Sequence, residues 1–380
     1  MATPFKRKAF AALLGLSLAL ASPWAAAVSD VLETPARPTS LANESLLTDS
    51  TYAGDRMVAV GERGHIIYSD DQGQTWQQGK VPVSTTLTGV SFPTPKQGWA
   101  VGHGAVILHS SDGGETWEKQ LDGSRAADLV IATMKEQIAN LEQKVENAPD
   151  DQKEDLQWTL EGMQFGLEDA QADKEVGPWK PLLDVWFAND NTGFAVGSYG
   201  FIFRTDDGGQ TWRDWSAHVP NPDRFHLNGI TEVTGGALVI VGEAGTIFLS
   251  TDRGDTWEKV ESPYTGSFFG VTGTGDVNEI LAFGLRGHVF MSTDLGRNWT
   301  TVPNDSPNTL NNGAVAKDGR ITLVGNGGTV LVSSNNAESF RTYFRSDRQG
   351  VMSVLPVSDE ELVLFGEGGV KHTDINGKNP

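Results

Sequence analysis

Residues 60–76 read VGERGHIIYSDDQGQTW, and the phrase returns along the chain. It recurs as VGHGAVILHSSDGGETW at 101–117, VGSYGFIFRTDDGGQTW at 196–212, VGEAGTIFLSTDRGDTW at 241–257 and FGLRGHVFMSTDLGRNW at 283–299. A sixth copy, VGNGGTVLVSSNNAESF at 324–340, has lost its Asp and Trp, and a seventh begins at Phe365 as FGEGGVKHTD and stops. The starts are spaced by 41, 95, 45, 42, 41 and 41 residues, a period that marks units stacked on one another. Turn residues and two-residue alternation divide the second unit into strands at 87–92, 98–101, 106–110 and 116–119. Four short strands per roughly 40 residues is the signature of a propeller blade, so the sequence predicts an all-β, seven-bladed β-propeller over 28–380. The seventh unit lacks a fourth strand, and Val31 to Thr34 are the candidates to supply it, closing the ring by pairing the two chain ends.

Composition agrees. Gly occurs 44 times in 380 residues and Pro 17 times, which favours tight turns over disorder. Cys is absent, which excludes disulfides, thiolate metal sites and cysteine nucleophiles. The 49 acids against 29 bases, a net charge of -20, argue against nucleic acid or an anionic membrane surface as partner. Residues 1–27 read as a secretory signal: Lys6, Arg7 and Lys8 precede an uncharged apolar run from Ala9 to Ala21, Pro23 breaks it, and Ala25-Ala26-Ala27 fits a cleavage site. The run is shorter than the roughly 20 residues that span a bilayer. The expectation is a periplasmic chain that does not insert into the membrane after cleavage.

The 95-residue interval exceeds one blade, and the excess lies at 120–179, between blades 2 and 3. Val130, Met134, Ile138, Leu141 and Val145 are at helical spacing, as are Leu156, Leu160, Met163 and Leu167. Asn147 to Asp151 between them offer an N-cap, an early proline and first-turn acids. This predicts an antiparallel helical hairpin burying its own apolar seam, with 14 acids against 5 bases between Asp122 and Pro178.

The pattern S/T-x-D-x-G-x-T-W resembles the Asp-box, or bacterial neuraminidase repeat. An aspartate in such a hairpin turn accepts backbone N–H bonds, and the Gly two residues on takes positive φ. Asp71, Asp112, Asp207, Asp252 and Asp294 are therefore expected to be structural, with Trp76, Trp117, Trp212, Trp257 and Trp299 buried between blades. The opposite face should carry the V-G-x-x-G turns and the hairpin together. Glu62, Arg63, His103, Tyr199, Glu243, Arg286, Asn326 and Glu367 on those turns are the candidate binding residues around the channel mouth. His65, His103, His109, His218, His226, His288 and His372 show no zinc-site spacing, and no phosphate loop is present, so no metal, cofactor or catalytic residue is expected.

From about Leu46 to Asp374 the chain resembles the photosystem II assembly and stability factor family of exported propellers, on the V-G-x-x-G and S-x-D-x-G-x-T-W phrases. The resemblance implies a non-catalytic scaffold that holds a protein client, a membrane or envelope complex, through a basic patch to which Arg63 and Arg286 correspond. The acidic hairpin departs from that pattern, which leaves an envelope exporter as an alternative client. A second alternative is a sialidase-like glycoside hydrolase or glycan-binding propeller, in which Tyr199 and the turn glutamates would act; only two turn arginines are present to clamp a carboxylate.

Overall fold

The computed structural model describes residues 30–177 and 180–378; the leader predicted at 1–27 lies outside them. Seven antiparallel sheets span 47–78, 87–121, 182–214, 227–259, 268–301, 310–344 and 351–374. The first six have four strands in sequential order, and the seventh has three. The first strand of every sheet is innermost. Leu47–Ala53, Leu87–Ser91, Leu182–Phe187, Leu227–Val233, Phe268–Thr272, Leu310–Val315 and Val351–Pro356 pack on one another in order, and the last returns against the first. This is the seven-bladed propeller the repeat predicts.

The recurrent Val-Gly has a steric origin. Where the second strand of a blade ends, its backbone crosses the entry to the first, and a Cβ on Gly61 would lie 2.1 Å from the Leu46 carbonyl oxygen. The same addition at Gly242 meets the His226 oxygen at 2.0 Å. That contact lets the next residue donate its N–H to the same carbonyl, as Glu62 does to Leu46 at 3.0 Å and Glu243 to His226 at 2.9 Å.

The core lies between blades. Each Asp-box tryptophan joins the cluster shared with the preceding blade: Trp117 packs with Val58 and Val60 of blade 1, and Trp257 with Phe194 and Val196 of blade 3. Trp76 and Trp257 stand edge-on to Phe365 and Phe194, at 5.8 and 6.0 Å between ring centroids. A blade therefore cannot bury its own aromatic payload without its neighbour.

Two expectations are corrected. Val31 to Thr34 do not extend the seventh blade. The Val31 carbonyl accepts Ser84 N–H, the Val81 carbonyl accepts Ala36 N–H, and Leu32 is buried with Val81 and Val83 beside blades 1 and 2. These residues run along the connection between the first two blades because its open backbone groups and apolar side chains are there to be covered. The ring closes by packing instead: Leu47, Met57 and Trp76 of blade 1 share one cluster with Leu355, Val363 and Phe365 of blade 7.

The hairpin forms as α1 (Gly123–Asn147) and α2 (Asp150–Val176), so Asn147 ends α1 rather than capping α2. Asp122 caps α1 by accepting the Arg125 N–H at 3.2 Å. The second correction is that α1 does more than line the seam. Ala126 is buried, and Leu129 and Val130 pack, in the cluster holding Val101 and Ala105 of blade 2 and Leu182 and Phe203 of blade 3. Helix α2 contributes no buried residue.

The contrast between inter-blade and outer tryptophans can be measured. Trp117→Ala should lower the unfolding free energy by about 3–5 kcal/mol, the usual cost of emptying a core aromatic site. Trp158→Ala, at an exposed position on α2, should change it by less than about 0.5 kcal/mol. Urea unfolding followed by circular dichroism reads both, and equal effects would contradict the packing described.

Candidate functional site

On one face the Asp-boxes hold their turns shut. Asp71 Oδ1 accepts the Thr75 N–H at 2.8 Å and its Oδ2 accepts the Thr75 hydroxyl at 2.6 Å, while Ser69 Oγ accepts the Gly73 N–H at 2.8 Å. Asp112, Asp207, Asp252 and Asp294 repeat the arrangement. Their acceptor bonds hold the carboxyls below the usual aspartate range, Asp71 and Asp252 at about 2, chiefly through the hydroxyls of Thr75 and Thr256. Two consecutive residues, not only the expected glycine, take the left-handed conformation: Gln72 and Gly73 at φ 62° and 86°, Arg253 and Gly254 at 61° and 84°. The sixth box survives with Asn335 in the aspartate's place, accepting the Ser339 N–H at 3.4 Å.

The turns between second and third strands occupy the other end of the blades. Each single-turn 3₁₀ segment touches the innermost strand of the next blade, which sets the turns around the channel mouth, and α1 packs beside the turn of His103. Arg63, Tyr199 and Arg286 sit at the tips with left-handed backbone, φ 56°, 56° and 59°. His103, Arg63, Arg286, Asn326, Tyr199 and Glu367 are exposed. The three glutamates have structural duties. Glu62 Oε1 accepts the Leu46 N–H at 3.4 Å, Glu243 Oε2 that of His226 at 3.2 Å, and Glu367 Oε2 that of Gly350 at 2.8 Å. Each ties its own turn to the start of its blade.

The structure brings some of these residues together. Tyr199 lies against the His226 ring at 5.1 Å and beneath Lys180 Nζ at 4.8 Å, and His226 Nδ1 is 3.9 Å from Glu243. Arg63 is 3.9 Å from Glu62, and Asn326 Oδ1 accepts from Asn311. Arg63 and Arg286, on blades 1 and 5, stand on well-separated parts of the rim.

Below the mouth is a feature the sequence reading missed. Every innermost strand bulges at its second residue, Thr48, Thr88, Leu183, Asn228, Phe269, Asn311 and Met352, and the register slip turns these side chains into a channel cavity of about 450 Å³. Four of them reach the next blade: Thr48 Oγ1 donates to the Leu87 carbonyl at 2.7 Å, Thr88 to Leu182 at 2.8 Å, Asn228 to Phe268 at 2.7 Å and Asn311 to Val351 at 2.9 Å. The following residue does the same with a carboxylate in two blades. Asp49 Oδ2 accepts the Val90 N–H at 3.0 Å, and Asp184 Oδ2 that of Ile230 at 2.8 Å. Asp49 Oδ1 also accepts from Asn312 at 3.1 Å and Ser353 at 3.2 Å. Burial pushes Asp49 up to about 6, and burial with the nearby Asp49 charge pushes Asp184 up to about 7. A signal was present: the apolar residue that opens each first strand is followed two places later by Asp49, Gly89, Asp184, Gly229, Gly270, Asn312 or Ser353.

Comparison with known proteins bears on this geometry. The profile of the family described as photosynthesis system II assembly factor YCF48 matches residues 69–140 and 171–378, more than half of the chain. The photosystem II assembly lipoprotein Ycf48 of Synechococcus sp. strain CC9902 is 34% identical over 115 residues, 28% of this chain and 34% of that protein. The Ycf48 of Synechococcus sp. strain RCC307 is 42% identical over 48 residues, 13% of this chain and 14% of that protein. The chain thus spans about a third or less of the length of these curated relatives. A solved structure of YCF48 bound to D1 peptide matches with a TM-score of 0.58 at 16% identity, covering 86% of this chain and 92% of that one. YCF48 from Cyanidioschyzon merolae matches at 0.57 and 14% identity, covering 89% and 97%. At such identities the structures attest the fold.

The two sets of aspartates predict opposite pH responses. Asp49 and Asp184 titrate near 4 when unfolded and near 6 and 7 when folded, so between about pH 4 and pH 7 the folded chain keeps protons that the unfolded chain has released. Their contribution falls as pH rises through that window. The Asp-box carboxylates contribute above about pH 4 and lose that contribution as pH falls toward 2. The melting temperature should peak near pH 4–5 and decline toward pH 8, and Asp184→Asn should flatten the upper limb. Scanning calorimetry from pH 3 to 8 measures it; an unchanged upper limb in Asp184→Asn would refute the assignment.

Proposed function

The chain belongs to the family of the photosynthesis system II assembly factor YCF48, and on that premise we propose that it is a non-catalytic, exported propeller that serves as an assembly or stability factor for a membrane protein complex, holding a protein client on its channel-mouth face. The observation that carries this reading is the division of labour between the two faces. The Asp-box turns spend their polar groups internally, whereas the opposite rim presents Arg63, Arg286, Tyr199 and His103 on exposed tips, with the docked hairpin beside the turn of His103. Functional side chains on short loops held by a rigid scaffold suit recognition of a partner surface.

The same geometry favours binding over hydrolysis. Glycosidase carboxylates must face the scissile bond as a pair, or activate a tyrosine. Glu62, Glu243 and Glu367 are each engaged with a backbone N–H of their own blade. Export to the periplasm is part of the proposal, supported by the basic and apolar leader pattern of residues 1–27 and by the description of the relatives as lipoproteins. No helix among the described residues is long and apolar enough to cross a membrane.

Charge reversal on the two faces tests the site. Arg63→Glu with Arg286→Glu should reduce client recovery from gently solubilised membranes at least tenfold and make the residual association salt-sensitive. Gln72→Glu with Arg253→Glu is the control, because these residues also occupy left-handed positions at turn tips, on the Asp-box face, and likewise add negative charge. Melting temperatures of all four single variants should stay close to the parent. Equal losses from both faces, or a loss confined to the control, would overturn the placement of the site.

A further inference from the structure

Helix α2 has two unlike long faces. Leu156, Leu160, Met163 and Leu167 turn toward α1 and are half-buried. On the opposite side Trp158 is 78% exposed, Phe165 67% and Val176 80%. Residues 158, 165 and 176 differ by 7 and 18 positions, two and five helical turns, so they fall in one line along the helix. Gly162 lies between the two aromatics on the same side, and a Cβ placed there would meet no atom within 4 Å. The result is an apolar stripe with a notch between two aromatic rings about 10 Å apart along the axis.

Its borders are acidic. Glu154 and Glu161 flank the two aromatics, Asp169 falls on the same line between Phe165 and Val176, and all three are exposed. The two lysines of α2 are engaged elsewhere, Lys153 with Asp150 at 3.3 Å and Lys174 with Asp128 of α1 at 2.5 Å. A solvated helix face carries polar residues along its centre; this one places a tryptophan and a phenylalanine there, and the charge around them is all of one sign.

We propose that the outer face of α2 is a second docking surface, separate from the channel mouth, and that its occupant is a cationic amphipathic helix of a partner protein. The charge selects that occupant. A second copy of this face would bring acid against acid, and an anionic lipid surface would be repelled in the same way. A helix with an apolar stripe and lysine or arginine borders satisfies both components, its side chains entering the notch at Gly162 between Trp158 and Phe165.

The test uses the full chain and two fluorescein-labelled 18-residue probes: an amphipathic Leu/Lys helical peptide and a peptide of equal charge with Ser in place of Leu. Anisotropy titrations should show the Leu/Lys peptide binding at least tenfold tighter than the Ser/Lys peptide, and more weakly as salt rises. Trp158→Ala with Phe165→Ala should remove that difference while leaving the melting temperature unchanged, since neither side chain is buried. Equal affinity for both peptides, or a preference that survives the double substitution, would overturn the proposal. So would binding to phosphatidylglycerol vesicles, or a concentration-dependent dimer in sedimentation, if lost in the same variant, because the face would then serve lipid or a second copy.

Discussion

A ring of repeated blades has one seam where its ends meet, and the carboxylate of Asp49 bridges it. From the innermost strand of blade 1 it accepts hydrogen bonds from Asn312 of blade 6, Ser353 of blade 7 and the backbone of blade 2. Propellers with a strand exchanged between chain ends gain closure from a backbone ladder. Here the seventh sheet has three strands, and closure rests on this polar junction and on the apolar cluster around Phe365 and Met57. The junction is held at some electrostatic cost, which is why the Asp49 carboxyl titrates well above an ordinary aspartate.

The bulge that aims Asp49 inward is repeated seven times, and it gives the ring a second connection besides the inter-blade core. Tryptophans and phenylalanines join neighbouring blades through dispersion and burial, which are tolerant of direction. The channel bonds of Thr48, Thr88, Asn228 and Asn311 are directional and set the angle at which one blade meets the next. Where the repeat places Leu183, Phe269 or Met352 instead, the same position puts an apolar side chain on the wall of the channel cavity. This scaffold asks of the turn tips a left-handed backbone and no particular side chain, so arginine, tyrosine, alanine and glycine occupy them in turn. The hairpin follows the same logic: α1 is anchored on blades 2 and 3 and fixes where α2 stands, which leaves the outer face of α2 at liberty to vary in chemistry.

Much of this was legible in the chain. The spacing of the V-G-x-x-G and Asp-box phrases determined seven blades, their strand number and the helical insertion, because each phrase is a local solution to a local problem: a close backbone crossing at Gly61, a carboxylate closing its own turn at Asp71, an aromatic too large for one blade to bury at Trp76. Connectivity alone also put the candidate residues on the turns at the end of the blades opposite the Asp-boxes. The chain ends, the docking of α1 and the channel were decided only in three dimensions. Val31 to Thr34 form a turn, not a strand, and the uncovered connection between blades 1 and 2 settled their position. Ala126 and Val130 follow the same helical period whether they face α2 or the ring. Asp49 and Asp184 look like ordinary polar residues near a strand start, and the one-residue slip that aims them is set by pairing with the second strand of the blade. Their partners lie tens to hundreds of residues away, and periodicity reports only what a residue owes to its own segment, whereas burial, charge coupling and ring closure arise when segments distant in sequence share one space.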